Sequence, residues 1–467
     1  MKEYEAGGKY KAERMSPRFP IRHEKNACFW ASGLFLALLL VLPAWAVEGG
    51  AGRPQRSQPD LRIDLGRFGY TTPAQDYRLL GYSMMSVSFV DDRHVLFTFN
   101  ARKLMRRIPN DPPDDNDQVI TALLLELPTG KVLAQTDWRM HDHAQYLWSL
   151  GGGRFLLRQG RRLGLLDPLA QLHRHLRTQD AAMQPLDFLT LAGPLQDLQM
   201  SPDRHLLIVE TRRTLPPVQI NVGQGPSGAP SLIPRGSNPD SAAAQQEDQG
   251  GGTDVQFFEL NLNDGHTYSA AGHATFDVPV VIPALETGVL RVVQEEPRKW
   301  LFRFGPLDSS DGAELFDYIS GCRPSAVFLD TQRFLTLGCD DDNDFSRMSV
   351  FDLQGDALWQ QKLSGSYIWP KIVTVPQAAR FVLSRVLTPY PVYSTNDVSP
   401  QLVDGQELSV LDTRTGALAL RMTLREVFHD GNNFSLAPDG SRLAVVAGRE
   451  LQIYDLPPVD LTPVTKK

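Results

Sequence analysis

The stretch FSLAPDGSRLAVVAGRELQIYDLPP, Phe434 to Pro458, decides the fold. It alternates apolar runs with turns built from Pro-Asp-Gly-Ser and Gly-Arg-Glu, so it reads strand, turn, strand, turn, strand. Three strands end one short of a small complete sheet and leave an open edge of unpaired backbone groups. A fourth strand has to come from elsewhere in the chain.

The last of these strands, LQIYDL, has relatives upstream. They are TALLLELPTGKVLA from 121, RLGLLDPLAQL from 162, VQFFELNLNDGHTY from 255, MSVFDLQGDALW from 348 and LSVLDTRTGALAL from 408. Each is an apolar strand ending in an acid and followed by a turn and a further strand. The acids are Glu126, Asp167, Glu259, Asp352, Asp412 and Asp455, spaced 41, 92, 93, 60 and 43 residues apart. KWLFRFGPL from 299 fills the 93-residue gap as a repeat without its acid. The 92-residue gap is one period plus an insertion, residues 214–253, rich in Gly, Pro, Ser and Gln and expected to be disordered. Seven repeats of roughly 40 to 45 residues result, the period of a four-stranded propeller blade. An acid that opens a turn can accept backbone N–H groups there, which gives these carboxylates a structural role.

Each repeat also carries an earlier hairpin, among them VSFVDDRHVLFTF from 87, LQMSPDRHLLIVE from 198 and AVFLDTQRFLTLG from 326. With SLAPDGSRLAVVAGRELQIYDL the chain resembles the WD-repeat and YVTN-type β-propeller superfamily over about residues 60–458. The resemblance implies an all-β, seven-bladed propeller of four-stranded antiparallel blades. It does not imply an activity, because this superfamily includes scaffolds, receptors and enzymes. Propellers commonly complete their last blade with a strand from the other chain end. DLRIDLGRFGY, Asp60 to Tyr70, is therefore expected to be the missing outer strand and to close the ring.

Ahead of it, CFWASGLFLALLLVL follows Arg18, Arg22 and Lys25 and precedes Ala44-Trp45-Ala46, the pattern of a secretory leader cleaved after Ala46. The run is shorter than the roughly 20 apolar residues of a membrane span. The expected organisation is thus a signal peptide over 1–46, a linker over 47–59, the propeller over 60–458 and a tail over 459–467. The whole chain carries −7, and the leader's excess of basic residues leaves the mature part more acidic still. An acidic exported protein, secreted or periplasmic, is a poor partner for nucleic acid or anionic lipid.

If the strands of a blade are lettered A to D outward from the central channel, the A–B and C–D turns share one face. The B–C loops and D–A crossings share the other. The sequence enlarges the B–C loops of the first, third, fifth and sixth blades and keeps the other turns nearly all tight, which marks that face for recognition. In the fifth-blade loop, Asp340, Asp342 and Asp344 have an alternate spacing that could present carboxylates to Ca²⁺, although the glycine and distal Glu of a helix–loop–helix calcium site are absent. His141 and His143 lie at the crossing from the first blade to the second and point the same way if extended, without an identifiable third metal ligand. Tyr390 and Tyr393 offer amphipathic surfaces to a partner or a sugar, or pack their own loop. His173 and His175 are placed in an outer strand. Cys322 and Cys339 flank an expected hairpin and are expected to form a disulfide.

No nucleophile elbow, zinc helix or phosphate-cradling glycine motif is present, nor the repeated tryptophan docking motif of quinoprotein dehydrogenases. The expectation is a monomeric binding or scaffold module for a protein or glycan, requiring no cofactor. The alternative is a lactonase-like hydrolase or quinoprotein-like oxidoreductase with its site in the channel.

Overall fold

The runs VLFTF and ALLLE are apolar at nearly every position, which a sheet with one wet face would not tolerate. The computed structural model shows why. In the first blade, Phe97, Phe99, Leu123 and Leu125 join the cluster shared with the seventh blade, while Leu96, Ile120, Ala122 and Leu124 join the one shared with the second. Successive strand residues point to opposite faces, and both faces are covered by a neighbouring blade. Outer strands face solvent, and Ala313–Ile319 is largely exposed or half-buried.

The structure describes residues 58–103, 118–141, 143, 145–172, 183–213, 252–261, 267–276, 281–308, 312–340, 345–392 and 398–459. The leader, most of the linker and of the insertion, His173, His175, Asp342, Asp344, Tyr393 and nearly all of the tail lie outside the described residues.

Seven four-stranded antiparallel sheets follow one another along the chain. Their inner strands, A, are Met85–Phe89, Leu147–Gly151, Leu195–Met200, Ala284–Leu285, Ser325–Phe328, Ser366–Val375 and Phe434–Leu436. Hydrophobic clusters sit at all seven junctions between neighbouring blades. Acids at strand ends act as the sequence suggests: Asp352 Oδ1 accepts the N–H groups of Gln354 and Asp356, and Asp412 Oδ1 those of Arg414 and Thr415. A second set opens the A–B turns, where Asp91, Asp330 and Asp439 each accept the N–H two residues on.

The missing strand is Leu61–Asp64. It pairs antiparallel with Glu450–Asp455 in the register Leu61↔Ile453 to Asp64↔Glu450. It is shorter than expected, because Leu65–Phe68 turns into a 3-10 helix whose first free N–H, that of Gly66, is capped by Asp64. The turn redirects Leu65 and Tyr70 into the cluster between the seventh and first blades. Arg67 then donates to the carbonyl of Gly130 in the first blade's C–D turn at 2.6 Å. Gly130 has φ +65°, and a Cβ there would stand 2.6 Å from the Arg67 guanidinium, so a side chain would displace this link.

Cys322 and Cys339 form the disulfide, with Cα atoms 5.4 Å apart. Cys339 ends a B strand, but Cys322 lies in the crossing before Ser325–Phe328 rather than on that strand. The bond therefore staples a crossing to the fifth blade. Two other boundaries differ from the sequence reading. Thr253 already belongs to strand Gly252–Asn261, and the second blade's outer strand is Leu186–Thr190, after the positions of His173 and His175. The connection before that outer strand, residues 167–185, is the long exception among the C–D turns.

Two outcomes check this fold. A chain that starts at Ser83 should lose cooperative unfolding or aggregate, since it exposes the Glu450–Asp455 edge and opens one junction; calorimetry of both chains reads this. The double change Cys322→Ser, Cys339→Ser should cost about 3 kcal/mol in urea unfolding under oxidising conditions.

Candidate functional site

The inner strands surround a cavity of about 510 Å³ lined by residues of all seven blades. That is a volume suited to a small molecule. Its polar lining includes Ser86, Gln145, Asp197, Gln199, Lys371, Thr374 and Asn432.

At the mouth, on the face of the crossings, the sixth blade supplies an irregular inner strand. The register of Ser366–Val375 breaks between Ile368 and Lys371, and Trp369 has φ +50°. Proline at 370 removes one ladder donor, and the resulting bulge re-aims the neighbouring side chains. The Trp369 ring stacks on His429 at 4.0 Å, while Lys371 turns to the channel, where its Nζ donates to the carbonyl of Asp430 and to Asn432 Oδ1. Asp430 in turn accepts from Ser83 Oγ at 2.6 Å, across the ring closure. Burial lowers the pKa of Lys371 and raises that of Asp430, with each charge offsetting part of the other's shift.

At the opposite end, Arg204 of the third blade donates to Gln377 Oε1 of the sixth at 2.7 Å, and Gln377 Nε2 to the Pro202 carbonyl. Arg204 has φ +66° in the A–B turn, and its side chain fills the space beside Gly151, where a Cβ would come within 2.2 Å of it. This bridge joins turns from non-adjacent blades beneath the channel.

One further carboxyl is hidden in the wall. Glu210 is fully buried, faces the fourth blade, accepts the Ile282 N–H at 2.8 Å and leaves Oε2 without a hydrogen-bond partner. Desolvation pushes its pKa up to about 8.

The long B–C connections of the first, third and sixth blades are as expected; that of the fifth shortens to residues 340–344, and those of the second, fourth and seventh blades are two-residue turns. The Asp340 carboxylate sits 3.9 Å from both Arg347 and Lys362. Among the described residues no group of three or more His, Cys, Asp or Glu is placed to hold a metal ion. His143 packs on the Tyr82 ring at 5.1 Å with Gln118 Nε2 2.6 Å from its Nδ1, so it is tied to the first-blade loop; His141 is half-buried beside it in the same crossing.

The sixth-blade loop is packed down by Val392, Val398 and Val403 around Leu79, Ile368, Val386 and Val427. Tyr390 takes no part in that cluster and is 54% exposed. Leu79 belongs to the short helix Gln75–Leu79 in the crossing that follows the closing strand, and that segment leaves Tyr77, Leu80 and Tyr82 exposed. Exposed apolar side chains thus lie on the face of the crossings.

The sequence reading missed Lys371, Asp430, Trp369, Arg204 and Glu210. The WPK interruption of an inner strand and the polar HDGNN just before the last blade were the available signals. Nothing local marks Arg204 and Gln377, which meet across 173 residues.

No protein-family model matches the chain, and no curated protein matches it. Among solved structures it is similar to a chain of the mitotic checkpoint complex, with 11% identity and TM-score 0.42 over 90% of this chain and 98% of that one. It is also similar to the acylaminoacyl peptidase of Pyrococcus horikoshii, with 10% identity and TM-score 0.44 over 81% of this chain and 52% of the peptidase, so it spans about half the peptidase's length. A putative TolB from Agrobacterium tumefaciens gives 13% identity and TM-score 0.37 over 79% and 99%. No helix among the described residues is long and apolar enough to cross a membrane.

The Glu210 carboxyl makes stability depend on pH. Below its unfolded value of 4.5 it is protonated in both states; between 4.5 and about 8 the folded protein keeps a proton that the unfolded chain has released. Stability should therefore fall as pH rises through that window. Glu210→Gln should remove this dependence, gaining about 2 to 4 kcal/mol over the parent at pH 8 and almost nothing near pH 4, by urea unfolding.

Proposed function

We propose that the protein is an exported, monomeric β-propeller that binds a protein or glycan partner through the face carrying the long B–C loops. In this reading residues 1–46 are a cleaved leader, 47–59 a linker, 214–251 a disordered insertion on the binding face and 459–467 a tail. The observation that carries it is the exposed apolar surface of Tyr77, Leu80, Tyr82 and Tyr390, held on a packed base rather than on loose loop. Aromatic side chains presented rigidly give contact area at little entropic cost, and they dominate binding energy where they anchor. No cofactor is needed for this. A Ca²⁺ role for Asp340 with Asp342 and Asp344 would have to displace Arg347 and Lys362 from the first carboxylate.

The rival reading places a hydrolase or oxidoreductase site in the channel and draws support from Lys371 and Asp430 there. Turnover of lactones, or of alcohols with added quinone, would establish it.

The binding reading is tested with the mature chain and the triple variant Tyr77→Ser, Leu80→Ser, Tyr82→Ser. Capture from envelope extracts and on a glycan panel should fall at least about tenfold in the variant at unchanged melting temperature. Equal capture by both proteins would overturn it.

A further inference from the structure

The charges that line the channel are not all matched. Lys371 is held by the carbonyl of Asp430 and by Asn432, and the carboxylates of Asp430 and Asp197 both act on its charge. Asp197 in turn accepts from the Leu198 N–H and from Gln199 Nε2. Arg204 is different. The one hydrogen bond of its guanidinium among the described residues goes to a neutral amide oxygen, that of Gln377, and no carboxylate offsets its partial burial. It is fixed in place, because glycine at 151 makes room for it and the turn it sits on is in the left-handed region.

Around this guanidinium the cavity wall is rich in groups that hydrogen-bond hydroxyls. Ser149 and Gln199 come from two neighbouring inner strands, and Thr374 from across the channel. The turn Gly151-Gly152-Gly153, with φ of +76°, +60° and +77°, brings main chain without side chains to the same end of the cavity. A fixed, unpaired cation with five donors in a planar fork suits a carboxylate or a phosphate. The remaining volume and its hydroxyl and amide lining exceed what a bare ion would fill.

From these observations we infer that the channel is a binding site for a small hydroxylated organic anion, a sugar acid or a sugar phosphate, whose anionic group is taken by Arg204 at the end formed by the A–B turns. The site is separate from the aromatic side chains on the face of the crossings. Gln377 holds the guanidinium without neutralising it, which is the requirement for a receptor of anions. A glutamate at 377 would occupy the same place with a charge and shut the site.

The experiment follows Trp148, which lines the cavity, by intrinsic fluorescence, together with melting temperature, in the full mature protein. Gluconate, glucose 6-phosphate, glucose and inorganic phosphate are titrated to about 10 mM, a range that covers weak binding. At least one anionic sugar should saturate, about tenfold or more tighter than glucose and inorganic phosphate, and whichever one does identifies the anionic group. Arg204→Gln and Gln377→Glu should each weaken that binding about tenfold or more. Position 377 is exposed, so its variant keeps the test in hand should the Arg204 change impair folding. No saturable response to either anionic sugar, a response no stronger than that to glucose or phosphate, or full binding by the Gln377→Glu protein would overturn the inference. Variants at Tyr77, Leu80 and Tyr82 should leave it untouched, which separates it from the reading of the outer face.

Discussion

Four residues at one chain end, Leu61–Asp64, lying against Glu450–Ile453 at the other, are the constraint on which the rest of the ring depends. A blade here is apolar on both faces, and it has no stable form unless both faces are covered. Six of the seven junctions are formed by blades that follow one another in sequence, and only the seventh needs the two ends to meet. There Ile63, Leu65 and Tyr70 add to the cluster, and Thr72 and Ser83 bond across to Gly448 and Asp430. Arg380, buried in the sixth blade, reaches the carbonyls of Gly440 and Pro457 and fastens the last blade from its other side.

The closing segment does more than close. After the strand it crosses the face of the ring as residues 65–84, and this crossing carries the helix Gln75–Leu79 and the exposed Tyr77, Leu80 and Tyr82. The sixth-blade loop packs on the same helix through Leu79. These exposed side chains therefore sit on the element that completes the fold.

The channel has the opposite character. Polar groups that line it have partners: Lys371 donates to the Asp430 carbonyl and to Asn432, and Ser86 bonds Thr98, which also meets Tyr146. Glu210, buried against the fourth blade, and Asp430 each keep one carboxyl oxygen without a hydrogen-bond partner, and burial raises the pKa of both. Arg204, half-buried at the far end of the channel, is bonded to an amide rather than to a carboxylate.

Read without any structure, the chain already determines its blade count, its strand pairing and its closing strand. The reason is that these rest on local patterns: second and third strands apolar on both faces, acids such as Asp352 and Asp412 at the turn after the third strand in six of the seven repeats, and a lone strand at Leu61 with no partner nearby. The cysteines were legible as well, since Cys322 and Cys339 are brought together by a single short hairpin, although the crossing position of Cys322 was not. Only the tertiary structure decided the channel and its rim. Asp430 meets Ser83 across 347 residues and Arg204 meets Gln377 across 173 because the ring brings distant turns to one axis, and a contact made by ring geometry leaves no periodic trace in the sequence.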